Sequence, residues 1–362
     1  MRELLEAAFP EFDWRMSIVT VEEVVSGPRV EPVALLDILE GERDARRWDF
    51  AFALTDADLE SHYGPFALAA PSQVFGAGVI SAARLRDADE GDTATPAVLA
   101  RRILALALAL FGHLNDLDED EDDRSNPMHP IETPAELDLR GEFSTSQVEA
   151  MLPVLAKVAD ERIEEGQGHA RGSVAFLVRA AGANVREIGQ AVRRARPWLF
   201  PVWLSRLTTA ALSTLLVLVV TAEAWELGMS QTWTSTMVLS TVSLLATSVY
   251  ILKRQRLLVR RHGRVPTEQR VVANVSMVLT VIAGMSVTYV LLFALTWLLG
   301  IALLNPVLIR HWGNLPDDAT LSGARLLMAG FVAALGIGIG ALGAAFEGRS
   351  YFRHVLHVDR EF

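Results

Sequence analysis

The stretch VVANVSMVLTVIAGMSVTYVLLFALTWLLGIALLNPVLI, residues 271–309, decides the architecture of the C-terminal half of the chain. It contains no charged residue, and it is about twice as long as the ~20 apolar helical residues that cross a bilayer core. We interpret it as one long tilted helix, spanning about 271–305, with an interfacial end. A re-entrant pair of helices is the alternative interpretation.

Three further apolar runs flank this stretch, and each has the length of a single membrane span. They cover about 203–224, 234–252 and 322–346. Four spans predict an all-α transmembrane bundle over residues 198–350. The last run carries Gly336 and Gly340 at the GxxxG spacing, which is typical of close helix packing. This run, or the helix that precedes the first span, would form the surface of a homo-oligomer.

Charge divides the 362 residues into two unlike halves. Residues 1–190 carry 36 acidic and 17 basic side chains, a net charge of −19, whereas the remaining residues carry 8 and 16, a net charge of +8. The positive mean hydropathy of +0.28 therefore belongs to the second half. This composition excludes disorder and a generic basic nucleic-acid binder. The absence of cysteine excludes disulfides and thiolate metal sites.

Basic residues are concentrated in the loop between the second and third spans. They are Lys253, Arg254, Arg256, Arg260, Arg261 and Arg264. Because basic loops stay on the cytoplasmic side, they predict a multi-pass protein of the plasma (inner) membrane with both termini cytoplasmic. The same residues are expected to contact lipid headgroups. Residues 1–14 contain no apolar core of a cleavable signal peptide.

Residues 1–165 predict a cytoplasmic α+β domain with a mixed sheet. Strands are expected over 15–25, 48–54, 66–70 and 74–82, and helices over 32–47, 96–114 and 144–165. Residues 166–197 are interpreted as a linker and an amphipathic connecting helix, and 351–362 as a cytoplasmic tail. The connecting helix has an apolar seam at heptad spacing, formed by Val174, Val178, Ala181, Val185, Ile188 and Val192. It predicts packing on the same chain, with a dimer as the alternative.

Several short segments of the first half follow one another in a characteristic order. They are LTDADL at 54–59, VFGA at 74–77, VISAARL at 79–85, FGHL at 111–114 and NPMH at 126–129. In order and spacing this series resembles the archaemetzincin branch of the metzincin zinc peptidases. The resemblance implies a metzincin-like fold whose zinc helix lies within residues 101–119.

The resemblance also implies that the peptidase chemistry is missing. The family's three histidine positions correspond to Ala109, His113 and Glu119. Its general-base position corresponds to Leu110, its turn glycine to Asp116 and the methionine of its methionine turn to Met128. One histidine and one carboxylate do not make the three-ligand zinc site, and Leu110 cannot accept a proton from water. We therefore assign no catalytic residue. His113 and Glu119 stay candidate metal ligands, and no cofactor is expected beyond a divalent cation.

Residues 116–123 hold seven carboxylates in eight positions. The alternating ones, Asp116, Asp118, Asp120 and Asp122, are similar to the start of an EF-hand calcium loop. The sixth and twelfth loop positions are Glu121 and Pro127, however, where that loop has Gly and Glu. A solvated acidic loop is therefore expected, with a specific cation site as the alternative.

Together these features predict a membrane-anchored, catalytically inactive metzincin-like protein that acts in binding, scaffolding or sensing, with no nucleic-acid partner. One alternative is a membrane-bound metallopeptidase with atypical metal ligands. Another is a small-solute transporter or channel built on the 271–309 run. Its pathway would be lined by Ser276, Thr280, Ser286, Thr288 and Tyr289.

Overall fold

The chain folds into two compact units. The computed structural model describes residues 1–21, 29–62, 64–85, 95–159, 173–258, 268–315, 320–344, 353–354 and 357–362. The first unit comprises Met1–Ser173, Arg261–Glu268 and Arg353–Phe362, and the second comprises Val174–Arg260 with Gln269–Phe352. The C-terminal residues, which the sequence presented as a tail after the last span, are thus part of the first unit.

The first unit contains a small mixed sheet and a separate strand pair. Strands β2 (Ala51–Thr55), β4 (Ala69–Ser72) and β5 (Ala77–Ser81) have the order β2-β5-β4. β5 runs parallel to β2 and antiparallel to β4, so β4 is an edge strand of this sheet. Strands β1 (Arg29–Val30) and β3 (Asp58–Leu59) form a parallel pair of their own.

Within the described part of residues 1–159, four α-helices accompany these strands: α1 (Arg2–Ala8), α2 (Pro32–Arg46), α3 (Pro96–Leu114) and α4 (Thr145–Val158). The starts of α3 and α4 follow from local sequence. The Thr95 hydroxyl accepts the Val98 N–H, and Pro96 occupies the first turn of α3. Ser144 and Gln147 form both bonds of a capping box at the start of α4. Residues 160–165 of the predicted helix lie outside the described residues.

Helix α3 is the central element of the first unit. It is long and apolar enough to cross a membrane, yet it packs on β4 and β5, as expected for a core helix. A Cβ atom at Gly78 of β5 would lie 2.8 Å from Cδ1 of Leu110. The absence of a side chain at Gly78 therefore lets Leu110 pack directly on the sheet.

The strand predicted over 15–25 does not form in its described part. Residues 14–21 have no regular secondary structure, and the Ile18 side chain is 97% exposed. β-branched residues favour a strand when a neighbouring strand and a buried face are present. The described residues 14–21 have neither, and residues 22–25 lie outside the described part.

The predicted connecting helix is divided in two. Helices α5 (Ser173–Ala183) and α6 (Val185–Arg194) meet at Asn184, whose side-chain amide donates to the Ala180 carbonyl. Val178 and Val185 are 69% and 63% exposed, whereas Ile188 is buried. The expectation of a seam packed on the same chain is therefore wrong at these two valines. The side chain of Val174 lies outside the described part.

The second unit is entirely helical in its described part. After α7 (Phe200–Trp203) come α8 (Ser205–Val220), α9 (Ala222–Met229), α10 (Trp233–Arg254), α11 (Glu268–Ala302), α12 (Pro306–Trp312) and α13 (Leu321–Ala344). Four helices of the described chain are long and apolar enough to cross a membrane: α3 and those at Trp233–Arg254, Arg270–Ala302 and Leu321–Gly343. A fifth is added if the bent pair ending at Val220 is one span.

Two apolar runs differ from simple spans. The predicted span 203–224 follows a bend of 53°, and α8 covers 16 of its residues, a rise of about 24 Å. Run 271–309 is one continuous helix to Ala302 followed by the separate α12, which excludes the re-entrant pair. In the basic loop, Lys253 and Arg254 end α10 and Arg256 follows it, whereas Arg260, Arg261 and Arg264 lie outside the described residues.

Helix α13 packs against both α8 and α10. A Cβ atom at Gly340 would lie 2.9 Å from the Leu207 carbonyl oxygen, so this glycine brings α13 close to α8 of the same chain. Hydroxyls proposed for a transport pathway bond within the bundle: Tyr289 contacts Ser240 at 2.9 Å, and Thr288 donates to its own helix backbone.

Candidate functional site

The C-terminal end of α3 carries the residues that the zinc-peptidase resemblance singles out. Ala109 and Leu110 are buried, and Leu110 packs on the sheet at Gly78. Neither side chain offers a metal ligand or a proton acceptor. His113 lies one turn later, with an 18% exposed side chain.

Met128 lies directly beneath this end of α3. A Cβ atom at Gly112 would be 2.5 Å from the Met128 sulfur, which shows how closely the two residues pack. The Met128 side chain is buried, and its N–H donates to the side-chain oxygen of Asn126 at 2.9 Å. The turn at 126–129 therefore fixes a methionine under the helix end.

Asp120 organises the acidic loop between α3 and this turn. Its carboxylate accepts the Asp122 N–H at 3.1 Å and the Asn126 side-chain amide at 2.8 Å. Its main-chain oxygen lies 2.8 Å from Nδ1 of His129. Hydrogen bonds from Ser125 hold the pKa of the Asp123 carboxyl below its usual range. The cluster of histidine and carboxylate ligands found among the described residues takes none of its members from this loop.

An ion pair joins two of the segments that carry the resemblance. Asp58, from LTDADL, accepts two hydrogen bonds of 2.7 Å from Arg84, from VISAARL. This bidentate contact with Arg84 holds the pKa of Asp58 below its usual range. The pair fastens the chain after β2 to the chain after β5.

The C-terminal residues run along the open edge of β4. The Asp359 N–H donates to the Pro71 carbonyl at 3.1 Å, and the Phe362 N–H donates to the Ala69 carbonyl at 2.9 Å. The Leu68 N–H donates in turn to the main-chain oxygen of Phe362 at 2.5 Å. Because the partner number falls as the C-terminal number rises, residues 359–362 are antiparallel to β4.

Side chains anchor the C-terminal segment, of which residues 353–354 and 357–362 are described, in the core of the first unit. The Phe362 ring belongs to the apolar cluster that includes Leu106 and Leu110, and it meets the His113 ring edge-on, with ring centroids 6.2 Å apart. His357 stacks on Phe75 with ring centroids 5.0 Å apart. The segment is therefore packed into the unit and does not rest loosely on its surface.

Both predicted metal ligands contact this segment. The Asp359 carboxylate lies 3.9 Å from Nε2 of His113 and accepts the Gln73 N–H at 2.6 Å. Glu119 forms an ion pair with Arg360. A guanidinium beside the carboxylate opposes a second cation there, and Ala109 and Leu110 add no ligand. These residues do not fit the zinc centre of a peptidase.

A second group of ligand-type side chains lies elsewhere in the first unit. Atoms of Glu31, His62 and His354 lie within 4.8 Å of one another. Glu361 joins them, with a carboxylate oxygen 2.8 Å from Nε2 of His354. His354 is visible in the sequence without a metal partner, because Glu31 and His62 lie far from it in the chain.

Comparison with known proteins gives two structural relatives. No protein-family model and no curated protein matches the chain. The chain is similar to archaemetzincin of Methanopyrus kandleri, at 25% identity and a TM-score of 0.30, over 36% of this chain and 67% of that one. It is also similar to a zinc-dependent peptidase of Methanocorpusculum labreanum, at 18% identity and a TM-score of 0.33, over 41% and 90%.

Proposed function

We propose that this is a membrane-anchored protein whose first unit binds an extended peptide strand at the open edge of β4 without cleaving it. The observation that carries the proposal is the antiparallel seating of residues 359–362 along β4, with Phe362 against His113. Adding a strand to a sheet edge is a general mode of peptide recognition, in which main-chain bonds supply affinity and side-chain pockets supply specificity.

Catalytic silence follows from the side chains around the bound segment. Hydrolysis of a peptide requires an activated water and a group that accepts its proton. In the metzincin resemblance Leu110 corresponds to the position of that base, and the carboxylate of Glu119 forms an ion pair with Arg360. We therefore expect the open edge of β4 to bind a peptide strand without cutting it.

In this structure the protein's own C-terminal segment occupies the open edge of β4. An external strand must compete with it, so occupancy of β4 can be exchanged between an internal and an external peptide. This competition supports a role in binding, scaffolding or sensing, in which a partner strand releases the segment that follows the last membrane helix.

The chain segments that make up the first unit also support the proposed membrane topology. Met1–Ser173 and Arg353–Phe362 belong to one folded unit, so they lie on the same side of any membrane. The chain between them must therefore cross an even number of times. Four crossings, by the bent first span, α10, α11 and α13, satisfy this condition, and the basic loop residues favour the cytoplasm for both termini.

A labelled peptide with the sequence of residues 351–362 tests strand binding on the full chain in detergent. Phe362→Ala weakens the internal competitor, so this variant is expected to bind the peptide at least about tenfold more tightly than the wild type, the equivalent of 1.4 kcal/mol. A peptide carrying Phe362→Ala is the matched control and is expected to bind weakly. Equal affinity of the wild type and the variant for the peptide would contradict the proposal.

The same preparation separates binding from peptidase activity. The second candidate function, a metallopeptidase with atypical ligands, is favoured by the Glu31, His62 and His354 group. It requires that added zinc produce peptide fragments and that His113→Ala or His354→Gln abolish them. We expect the labelled peptide to stay intact with and without zinc, as measured by mass spectrometry.

A further inference from the structure

We propose that Glu31, His62 and His354 form a Zn²⁺ site, with Glu361 supporting His354 from behind, that fastens the C-terminal segment to the first unit. This site is separate from the His113 region, and its existence does not depend on whether β4 binds other peptides. Two ligands come from the N-terminal part of the chain and one from the C-terminal segment. The metal would therefore join residues about 300 positions apart in sequence.

The spacing of the donor atoms suits a small tetrahedral ion. Two ligands of a tetrahedral zinc site with bonds of about 2.0–2.1 Å are roughly 3.3 Å apart. Nε2 of His62 lies 3.2 Å from a Glu31 oxygen, and Nδ1 of His354 lies 3.9 Å from the other Glu31 oxygen. The opposite ring nitrogen of His354, Nε2, contacts a Glu361 oxygen at 2.8 Å, so Glu361 supports the His354 ring from the side away from the ion. Small side-chain adjustments bring these atoms to ligand distance.

Burial and charge favour a cation at the centre of this group. The side chains of His354 and Glu361 are 0% and 3% exposed, and those of His62 and Glu31 are 14% and 20% exposed. Two acidic side chains, Glu31 and Glu361, lie beside the two imidazoles, so the surroundings of the group favour a cation over an anion. Imidazole nitrogen and carboxylate oxygen are ligands that Zn²⁺ accepts.

The Glu361 carboxylate is already positioned by its neighbours. The Ser61 hydroxyl donates to one of its oxygens at 2.6 Å, and the His62 N–H donates to the other at 2.8 Å. Because Glu361 contacts Nε2 of His354, it is placed to orient that imidazole as a ligand and to raise metal affinity. The His62 and His354 rings, with centroids 4.4 Å apart, approach the group from the two parts of the chain. Three protein ligands leave the fourth position of a tetrahedral ion to water.

Zinc binding to the full chain in detergent tests the site directly. The protein is purified with a tag that contains no histidine run, equilibrated with Zn²⁺, desalted and analysed for metal by mass spectrometry. We expect one zinc per chain. His354→Gln is expected to lower zinc affinity about 100-fold or more, since even residues around a metal's ligands contribute 10–100-fold.

His357→Gln is the matched control, because His357 is equally buried in the same segment but stacks on Phe75 outside the group. His357→Gln and His113→Gln are expected to keep the metal. Glu31→Gln removes a more exposed ligand and is expected to weaken zinc binding while the protein stays folded by circular dichroism. Less than stoichiometric zinc in the wild type, or equal loss in His354→Gln and His357→Gln, would overturn the site.

Discussion

Phe362 and Ala69 exchange a pair of main-chain hydrogen bonds. The Phe362 N–H donates to the Ala69 carbonyl at 2.9 Å, and the Ala69 N–H donates to the Phe362 oxygen at 3.3 Å. Such a reciprocal pair is the repeating unit of an antiparallel sheet. It places the C-terminal residues as an additional strand on β4, where an open sheet edge would otherwise be exposed to pairing with another chain.

Replacing the Phe362 ring tests how far this segment stabilises the first unit. The ring is 8% exposed and packs among the core residues of α3 and β4. Phe362→Ala is expected to lower the free energy of unfolding of this unit by about 3 kcal/mol. Hydrogen exchange of the first-unit amides in detergent measures the loss. Leu139→Ala removes an exposed side chain of the same unit and should cost about 0.5 kcal/mol or less.

The Asp58–Arg84 pair makes the stability of the first unit dependent on pH. The bond to Arg84 lowers the pKa of Asp58, so its stabilising contribution is fully present above the unfolded value of about 3.9 and is lost as the pH falls through the folded value. Asp58→Asn is expected to cost about 1–3 kcal/mol at neutral pH. The difference from the wild type should shrink below about pH 4.

Denaturation curves across this pH range measure the effect of Asp58. Asp13→Asn is the matched control, because Asp13 also pairs with an arginine, Arg15, but both side chains are exposed. An exposed pair contributes about 0.5 kcal/mol or less, with little dependence on acid. A constant difference between wild type and Asp58→Asn from about pH 3 to about pH 7 would contradict the assignment of the depressed pKa.

Thiol labelling tests the topology, because the chain has no native cysteine. Ser17 lies in the first unit and Ser230 lies between α9 and α10. Both residues are exposed. If the bent first span crosses the membrane once, one crossing separates Ser17 from Ser230, and the two residues lie on opposite sides. Ser17→Cys should therefore react with an impermeant maleimide in inside-out vesicles, and Ser230→Cys in right-side-out vesicles. Labelling of both from the same side would exclude this arrangement.

Local signals of the sequence predict much of the fold. Thr95 with Pro96, and Ser144 with Gln147, mark the starts of two helices because their side chains bond the first turn. The apolar run 271–309 predicts a long helix because length and composition alone decide membrane insertion. The strand expected over 15–25 is wrong in its described part, because a β-branched pattern does not reveal whether a partner strand exists.

The candidate sites depend on contacts that no local pattern contains. Residues 359–362 reach β4 across nearly the whole sequence, with the second unit in between. His354 is visible in the sequence as a histidine near the C-terminus, but its neighbours Glu31 and His62 are far away in the chain. The placement of Met128 under Gly112, in contrast, follows the order of motifs in the resemblance.

The C-terminal segment packs into the first unit, and both proposals depend on this placement. Val358 is 2% exposed, and cysteine is a small apolar replacement for it. The most direct measurement is the maleimide reaction rate of Val358→Cys in the folded, detergent-purified chain, compared with that of the exposed Ser17→Cys. We expect the thiol introduced by Val358→Cys to be protected by at least about 100-fold, the equivalent of a 2.7 kcal/mol opening cost, and Phe362→Ala to remove much of this protection. Equal reaction rates at the two positions would contradict it.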